Sequence, residues 1–176
     1  KVRVRKDVYR RFAVVANGLN AEGGALFLLA LDKPHGERWR LNNNYYRVKT
    51  GPGSLSAPVL LNDSDGVLQY AYAGDLDGNL WRFDFSGAAP WAVDKLFAAR
   101  DAGGRYQPIS EQPLLAYAKG GGYMIMFGTG QLIGRFGDQD SYQATLALAR
   151  AANDLDSVAK LEALGPPPWT NPRDPG

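Results

Sequence analysis

The stretch that decides the fold is Tyr70–Phe85, which reads YAYAGDLDGNLWRFDF. An apolar run enters an acidic turn that contains glycine, and a second apolar run follows. This pattern is typical of two antiparallel strands joined by a tight turn. In the second run Trp81, Phe83 and Phe85 occur at every other position, so a strand places them on one face. We expect that aromatic face to pack against another sheet.

The same design occurs three times at a nearly constant spacing. Apolar runs lead into Gly18, Gly74 and Gly130, which are separated by 56 positions each time. A second marker, which we call the Ser-Pro marker, is a serine followed by a proline and leucines, and it occurs at Ser56–Leu61 and again at Ser110–Leu115. Its prolines, Pro58 and Pro113, lie 55 positions apart, nearly the same spacing as the glycines. Repeats of roughly 40–50 residues are typical of β-propeller blades, each of which is one small sheet. The repeats therefore predict an all-β protein built from successive antiparallel sheets.

The repeat length also predicts the domain organisation of the 176 residues. Blades are expected over residues 1–150, in approximate units 1–50, 51–105 and 106–150, and residues 151–176 are expected to form a linker or a proline-rich tail. This gives about three blades, whereas propellers close with about four to eight. The predicted fold is thus an incomplete β-propeller, either a fragment of a larger one or a set of sheets that docks on a companion.

Individual strands follow from the apolar pattern. We predict buried inner strands at Phe12–Ala16 and Ala25–Leu31, because both are apolar on both faces. An outer strand is predicted at Glu37–Leu41, followed by a polar connector at residues 42–54. In the third unit a further strand is predicted at residues 142–149.

Composition excludes several classes of protein. The net charge of +2 and the pI near 8.8 are too mild to indicate a nucleic-acid partner. The chain has no cysteine, which excludes disulfides and thiolate metal sites. It has no apolar run long enough for a membrane helix, and its first residues do not have the pattern of a signal peptide. The expected class is therefore one without a membrane span.

Catalytic motifs are missing from the sequence. The only histidine, His35, lies between a proline and a glycine, where an exposed spacer is expected. No Gly-x-Ser-x-Gly motif, phosphate-binding loop or zinc-ligand spacing occurs. We therefore predict that the protein is not an enzyme.

Two acidic turns have oxygen-bearing side chains at the spacing seen in calcium-binding loops. Asp63 and Asp65 offer oxygens at alternate positions, and Gly66 follows, as in loops that bend sharply around calcium. The turn Asp75–Asn79 has the same spacing. Calcium requires about six to eight oxygens, and Asp and Asn are also good turn formers through bonds to their own backbone. Both interpretations stay open from the residues alone.

The segment 55–84 is similar to the C-terminal β-propeller domain of the PilY/PilC family of type IV pilus biogenesis and tip-adhesin proteins. The resemblance rests on YAYAGD at Tyr70–Asp75 and GNLWRFD at Gly78–Asp84. Residues 12–32 resemble the preceding blade of that domain, and residues 96–130 resemble the following one. The resemblance covers residues 1–150.

The resemblance implies a non-enzymatic protein at the pilus tip. It implies a location at the cell surface or outer membrane of a Gram-negative bacterium, reached by export through the periplasm. The implied roles are pilus assembly, adhesion and twitching motility, with some opposition to retraction. The implied partners are minor pilins and other tip proteins, the rest of the chain's own propeller, and a host or abiotic surface. Nucleic acid is not among them.

The resemblance also implies a calcium loop of the form Asp-x-Asp-x-Asp-x-x-x-Asp. In this sequence its four positions are Leu61, Asp63, Asp65 and Gln69. Asp63 and Asp65 are therefore the candidate metal ligands, and calcium is the one cofactor to consider. Because Leu61 and Gln69 replace two carboxylates, we expect weak calcium binding or none.

Two other classes of propeller compete with this interpretation. A quinoprotein-like dehydrogenase also repeats Gly-x-Leu-Trp strands, but it needs a catalytic aspartate, calcium and a cofactor at the axial channel, and this chain has no adjacent cysteines. An integrin-like propeller carries a calcium loop in each blade. Here the turns at residues 20–24 and 120–122 contain one carboxylate between them, at Glu22.

Overall fold

The computed structural model describes residues 1–130 and residue 159. In residues 1–130 the regular elements are β-strands, as the repeats predict. The strand predicted at residues 142–149 and the tail predicted at residues 151–176 lie outside the described residues, apart from residue 159. The strands are β1 (Val2–Arg5), β2 (Val8–Arg10), β3 (Phe12–Ala16), β4 (Ala25–Ala30), β5 (Tyr45–Lys49), β6 (Val59–Asn62), β7 (Leu68–Gly74), β8 (Asn79–Asp84), β9 (Ala92–Ala98), β10 (Leu114–Tyr117) and β11 (Tyr123–Met126).

These strands form separate antiparallel sheets. The largest has the order β6-β7-β8-β9, and a three-stranded sheet has the order β3-β4-β5. Two hairpins, β1-β2 and β10-β11, complete the described part. Each strand in a sheet pairs with the next strand in the sequence, which is the up-and-down order of a propeller blade. The predicted all-β class with antiparallel sheets is confirmed, and the exact unit boundaries stay a prediction.

The main core lies between the three-stranded and four-stranded sheets. Leu26 and Leu28 of β4 and Phe83 of β8 are completely buried, as is Phe85 just after β8. Trp81 packs against the same cluster, so the predicted aromatic face does lie in the core. Complete burial of each such side chain contributes about 1.5–3 kcal/mol, so this contact between sheets stabilises the fold.

The outer strand of the first sheet lies later in the sequence than predicted. Glu37–Leu41 is not a strand, and the outer strand is β5, in the segment predicted to be a connector. The reason is that Tyr46 and Val48 alternate toward the core, which residues 37–41 do not. Asn44 fixes the intervening loop, since its side-chain amide donates to one loop carbonyl at 3.0 Å and accepts a loop N–H at 2.6 Å.

Successive sheets are joined by an equivalent residue each time. Leu55 forms bridges to Gly18 of the first unit and Asp75 of the second. Ile109 forms a bridge to Gly130 of the third unit, and its N–H donates to the Asp75 carbonyl at 2.9 Å. Leu55 and Ile109 are both completely buried. The repeat seen in the sequence is therefore a repeat of the junction between sheets.

Candidate functional site

Asp75 is the centre of the junction between sheets. Its carboxylate is buried, with 1% of the residue exposed. Oδ1 accepts the backbone N–H of Asn79 at 2.8 Å, while Oδ2 accepts the Asn79 side-chain amide at 2.8 Å and the Trp81 indole N–H at 2.7 Å. A buried carboxylate with several donors is held in one position. Asp75 therefore fixes the turn between β7 and β8, and with it the aromatic face.

Small residues let the linkers between sheets approach closely. Gly74 lies against Ile109, and its N–H donates to the Ser56 hydroxyl at 3.0 Å. One repeat later, the Ser110 hydroxyl donates to the Gly130 carbonyl at 2.8 Å. The serine of the repeated Ser-Pro marker thus bonds to the glycine that follows the apolar run. These hydrogen bonds fix the linkers against the ends of the strands.

The acidic turn, defined here as Asp63–Gly66, joins β6 to β7 and is exposed. The Asp63 Oδ1 atom accepts the backbone N–H groups of Asp65 at 3.0 Å and Val67 at 2.8 Å. Asp63 Oδ2 accepts the side-chain amide N–H of Gln69 at 2.8 Å. Both oxygens of this carboxylate are therefore used within the turn.

These residues do not fit a calcium ion. The Asp63 oxygens face N–H donors, whose positive ends lie where a cation would need to approach. Leu61 has no oxygen in its side chain, and Gln69 presents its amide nitrogen to Asp63. Across residues 1–130, no three His, Cys, Asp or Glu side chains are grouped so as to hold a metal. The structure brings Asp63 and Asp65 together only through a backbone N–H, and their role as metal ligands stays a prediction.

In the other candidate turn, Asp75–Asn79, the Asp75 carboxylate is likewise occupied by N–H groups. Asp75 belongs to the buried junction, and its two oxygens already accept three N–H groups. Asp77 is exposed. Turn formation explains the spacing of Asp and Asn residues in this turn, because the Asp75 side chain accepts a backbone N–H of its own turn.

The open face is the side of the three-stranded sheet that points away from the main core. It carries Val15 of β3, Phe27 and Leu29 of β4 and Tyr45 of β5, and Trp39 from the preceding loop lies over it. Val15 is 42% exposed and Trp39 is 50% exposed. A cavity of about 290 Å³ lies among the aromatic and leucine side chains. A contiguous exposed apolar patch of this kind marks a contact surface.

A groove of about 680 Å³ opens between β5 and the start of β9. Tyr46 and Trp91 line it, and their ring centres are 5.0 Å apart in an edge-to-face arrangement. Arg5, Arg47 and Lys49 also line it, and within residues 1–130 no carboxylate does. The basic groove, as we call it, therefore combines aromatic rings with positive charge.

Ionised side chains elsewhere form hydrogen-bonded pairs at the surface. The pKa of Asp101 is lowered because its carboxylate accepts the backbone N–H of Arg105 and then the Arg105 guanidinium N–H at 2.7 Å. The pKa of Asp32 is lowered by the guanidinium N–H groups of Arg10, the nearer at 2.7 Å. His35 is exposed, as expected. Asp101 and Arg105 thus stabilise one turn, and Arg10 and Asp32 join β2 to the segment that follows β4.

Sequence reasoning missed the residues of the junction. Leu55 and Ile109 come directly before the two Ser-Pro markers, so the spacing already contained a signal for them. The bond between Asp75 and Trp81 had no such signal, because nothing in the sequence says which donors surround a buried carboxylate.

Comparisons with known proteins identify relatives over most of the chain. Residues 10–147 match the sequence profile of the PilY1 beta-propeller domain. The type IV pilus biogenesis factor PilY1 of Pseudomonas aeruginosa is 33% identical over 179 aligned residues, which cover 88% of this chain and 15% of that protein. A PilY1 homolog of Xylella fastidiosa is 48% identical over 73 residues, covering 41% of this chain and 6% of the homolog.

The architecture is also similar to a solved structure. The crystal structure of the P. aeruginosa PilY1 C-terminal domain matches with a TM-score of 0.57 and 28% identity. The match covers 74% of this chain and 31% of that domain. The chain thus spans about 15% of the length of the first P. aeruginosa relative and a third or less of the solved domain. The described residues of the chain contain no helix that is long and apolar enough to cross a membrane.

Proposed function

This chain belongs to the PilY1 β-propeller family of type IV pilus biogenesis factors, and from that membership we propose that it forms part of the propeller of such a factor and acts by binding other pilus proteins. The observation that carries the proposal is the match over residues 10–147, which includes both large sheets and the junctions at Leu55 and Ile109. The relatives are named as pilus biogenesis factors, and neither name is that of an enzyme.

The proposed partners are of two kinds. Neighbouring sheets of the same propeller cover the open face, whose apolar side chains need a packing partner. Minor pilins and other proteins of the pilus tip bind the outer surface. In this role the protein is exposed at the cell surface, where it supports pilus assembly, adhesion to host or abiotic surfaces, and twitching motility.

The basic groove is the best candidate for the surface that contacts a pilin. It lies beside the outer strands β5 and β9, which neighbouring blades leave accessible in a propeller. Tyr46 and Trp91 provide apolar area, and Arg5, Arg47 and Lys49 favour a partner with an acidic segment. We therefore assign this groove to a protein partner rather than to a small substrate.

The test of the function is a complementation experiment in the bacterium that produces the protein. Deleting the gene should reduce surface pili and twitching, and the intact gene should restore both. A gene that lacks the codons for this segment should fail to restore them, although its product is exported in normal amount. Normal piliation and twitching without this segment would contradict the proposal.

A matched pair of variants tests whether the basic groove binds a pilin. Lys49→Glu reverses a charge in the groove, and Lys119→Glu makes the same change at an exposed turn away from it. We expect Lys49→Glu to weaken co-purification with minor pilins by about fivefold or more, and Lys119→Glu to leave it unchanged. Equal effects of both variants would remove the groove from the proposal while leaving the family role intact.

A further inference from the structure

The turn between β6 and β7 has carboxylates at the spacing of a cation loop, yet the chain itself supplies hydrogen-bond partners to the Asp63 carboxylate and to much of the turn backbone. Asp63 N–H donates to the Val67 carbonyl at 2.9 Å, and Gly66 N–H donates to the Asp63 carbonyl at 3.1 Å. The Asp63 side chain accepts two further backbone N–H groups, from Asp65 and Val67. A turn with this many internal bonds does not need an ion to define its shape.

Gln69 is placed to complete this set of bonds by an irregularity in the sheet. Leu61 pairs with Tyr70 and Asn62 pairs with Leu68, so Gln69 has no partner across the ladder. A residue at such a bulge points its side chain in a new direction. Here the amide nitrogen of Gln69 lies 2.8 Å from Asp63 Oδ2 and 3.3 Å from the Val67 carbonyl oxygen.

The chemistry of the amide matches what a cation would supply. A calcium ion holds such a loop together by attracting carboxylate oxygens from both ends. The N–H groups of Gln69 present partial positive charge to Asp63 from the far end of the same loop. They do so without the like-charge repulsion that a carboxylate at position 69 would add beside Asp63.

We propose that the side-chain amide of Gln69 takes the place of a bound cation in the loop 61–69, so that β6 and β7 are joined in their native register without metal. Position 61 is the other place where this loop lacks a carboxylate. Leu61 there has an apolar side chain, and the residue pairs across the ladder with Tyr70. This inference concerns the loop alone, and it stands or falls independently of the role in pilus biogenesis.

The first test measures thermal unfolding of the full chain in EDTA. Gln69→Glu keeps the shape of the side chain, removes the donor and adds a charge beside Asp63. We expect its Tm to fall by roughly 2–4 °C, the shift for a loss comparable to one hydrogen bond in a chain of this size. Gln107→Glu is the control, since the Gln107 side chain has no hydrogen-bond partner within residues 1–130, and its Tm should not change. Equal melting of both variants and the wild type would overturn the proposal.

The second test asks whether calcium has any place in the native loop. Calorimetry and Tm measurements on the wild-type chain should show no response to 1 mM CaCl₂ relative to EDTA. The double variant Leu61→Asp/Gln69→Asp restores the two missing carboxylates, and we expect its Tm to rise with calcium. A wild-type response that Asp63→Ala abolishes would overturn the proposal. So would a folded double variant whose Tm ignores calcium.

Discussion

Trp81 donates its indole N–H to a buried carboxylate, that of Asp75, at 2.7 Å. We expect Trp81→Phe to lower the free energy of unfolding by about 1.5–3 kcal/mol, because the phenyl ring keeps the packing but loses a hydrogen bond to a charged group. Urea unfolding measures this change. Trp39→Phe is the control, because Trp39 is 50% exposed and its indole N–H has no partner in the described residues. Its cost should stay within about 0.5 kcal/mol, and equal costs at both positions would contradict the assigned role of Asp75.

Asp101 gives a prediction about pH. Its pKa lies below the ordinary value of 3.8, because the ionised carboxylate accepts backbone and side-chain N–H groups of Arg105. A lowered pKa in the folded chain means that the stabilisation is complete above pH 3.8 and is lost as pH falls through the lowered pKa. The carboxyl ¹³C shift of Asp101 should therefore titrate below 3.8, and Arg105→Ala should move its midpoint upward. A midpoint at or above 3.8 in the wild type would show that the turn does not hold the ionised form.

At the scale of single residues, the sequence predicts which side chains share a buried face better than it predicts their hydrogen-bond partners. The alternation of Trp81, Phe83 and Phe85 predicts a buried face correctly, because strand geometry alone sets which side chains point the same way. The acidic turn is different. A spacing of oxygens does not say whether N–H groups or a cation will face Asp63, since Gln69 reaches it only through an irregularity in pairing.

The junctions between sheets depend on a close approach of two elements. A Cβ atom on Gly74 would collide with the Ile109 side chain and lie 2.5 Å from its carbonyl oxygen. We expect Gly74→Ala to destabilise the chain by about 1–3 kcal/mol in urea unfolding, because Ile109 is completely buried and has no room to move.

Gly87 provides the matched control for this substitution. A Cβ atom there meets nothing within 4 Å. Gly87→Ala should therefore change the unfolding free energy by no more than about 0.5 kcal/mol, or raise it slightly through a smaller entropy of the unfolded chain. Similar effects at Gly74 and Gly87 would mean that the linker does not pack against β7 as described.

The strands show where the local apolar pattern of the sequence determines secondary structure and where it does not. The apolar strands β3 and β4 lie within one residue of their predicted bounds. The outer strand β5 was predicted too early, at Glu37–Leu41, because an edge strand alternates polar and apolar residues and resembles a polar loop. Its assignment depends on the core it faces, which local pattern does not reveal.

The open face is the feature of the whole molecule that most needs a partner. Val15→Lys should change the Tm of this chain alone very little, because Val15 is 42% exposed. In the complete propeller to which we propose this chain belongs, burial of that lysine beneath a neighbouring sheet should cost more than about 2 kcal/mol. Leu96→Lys, at a 45% exposed position of β9, is the control and should be tolerated in both. Tolerance of Val15→Lys in the complete propeller would mean that no sheet covers this face.

The proposal that this chain is part of a larger propeller is tested most directly by a crystal structure of the complete propeller domain. We predict that Leu55 and Ile109 each link two successive sheets about a common axis, and that another sheet of the same propeller packs on Phe27 and Leu29. A structure in which these two sheets form a closed sandwich, or in which Phe27 and Leu29 face solvent, would contradict the assignment of this chain to a propeller.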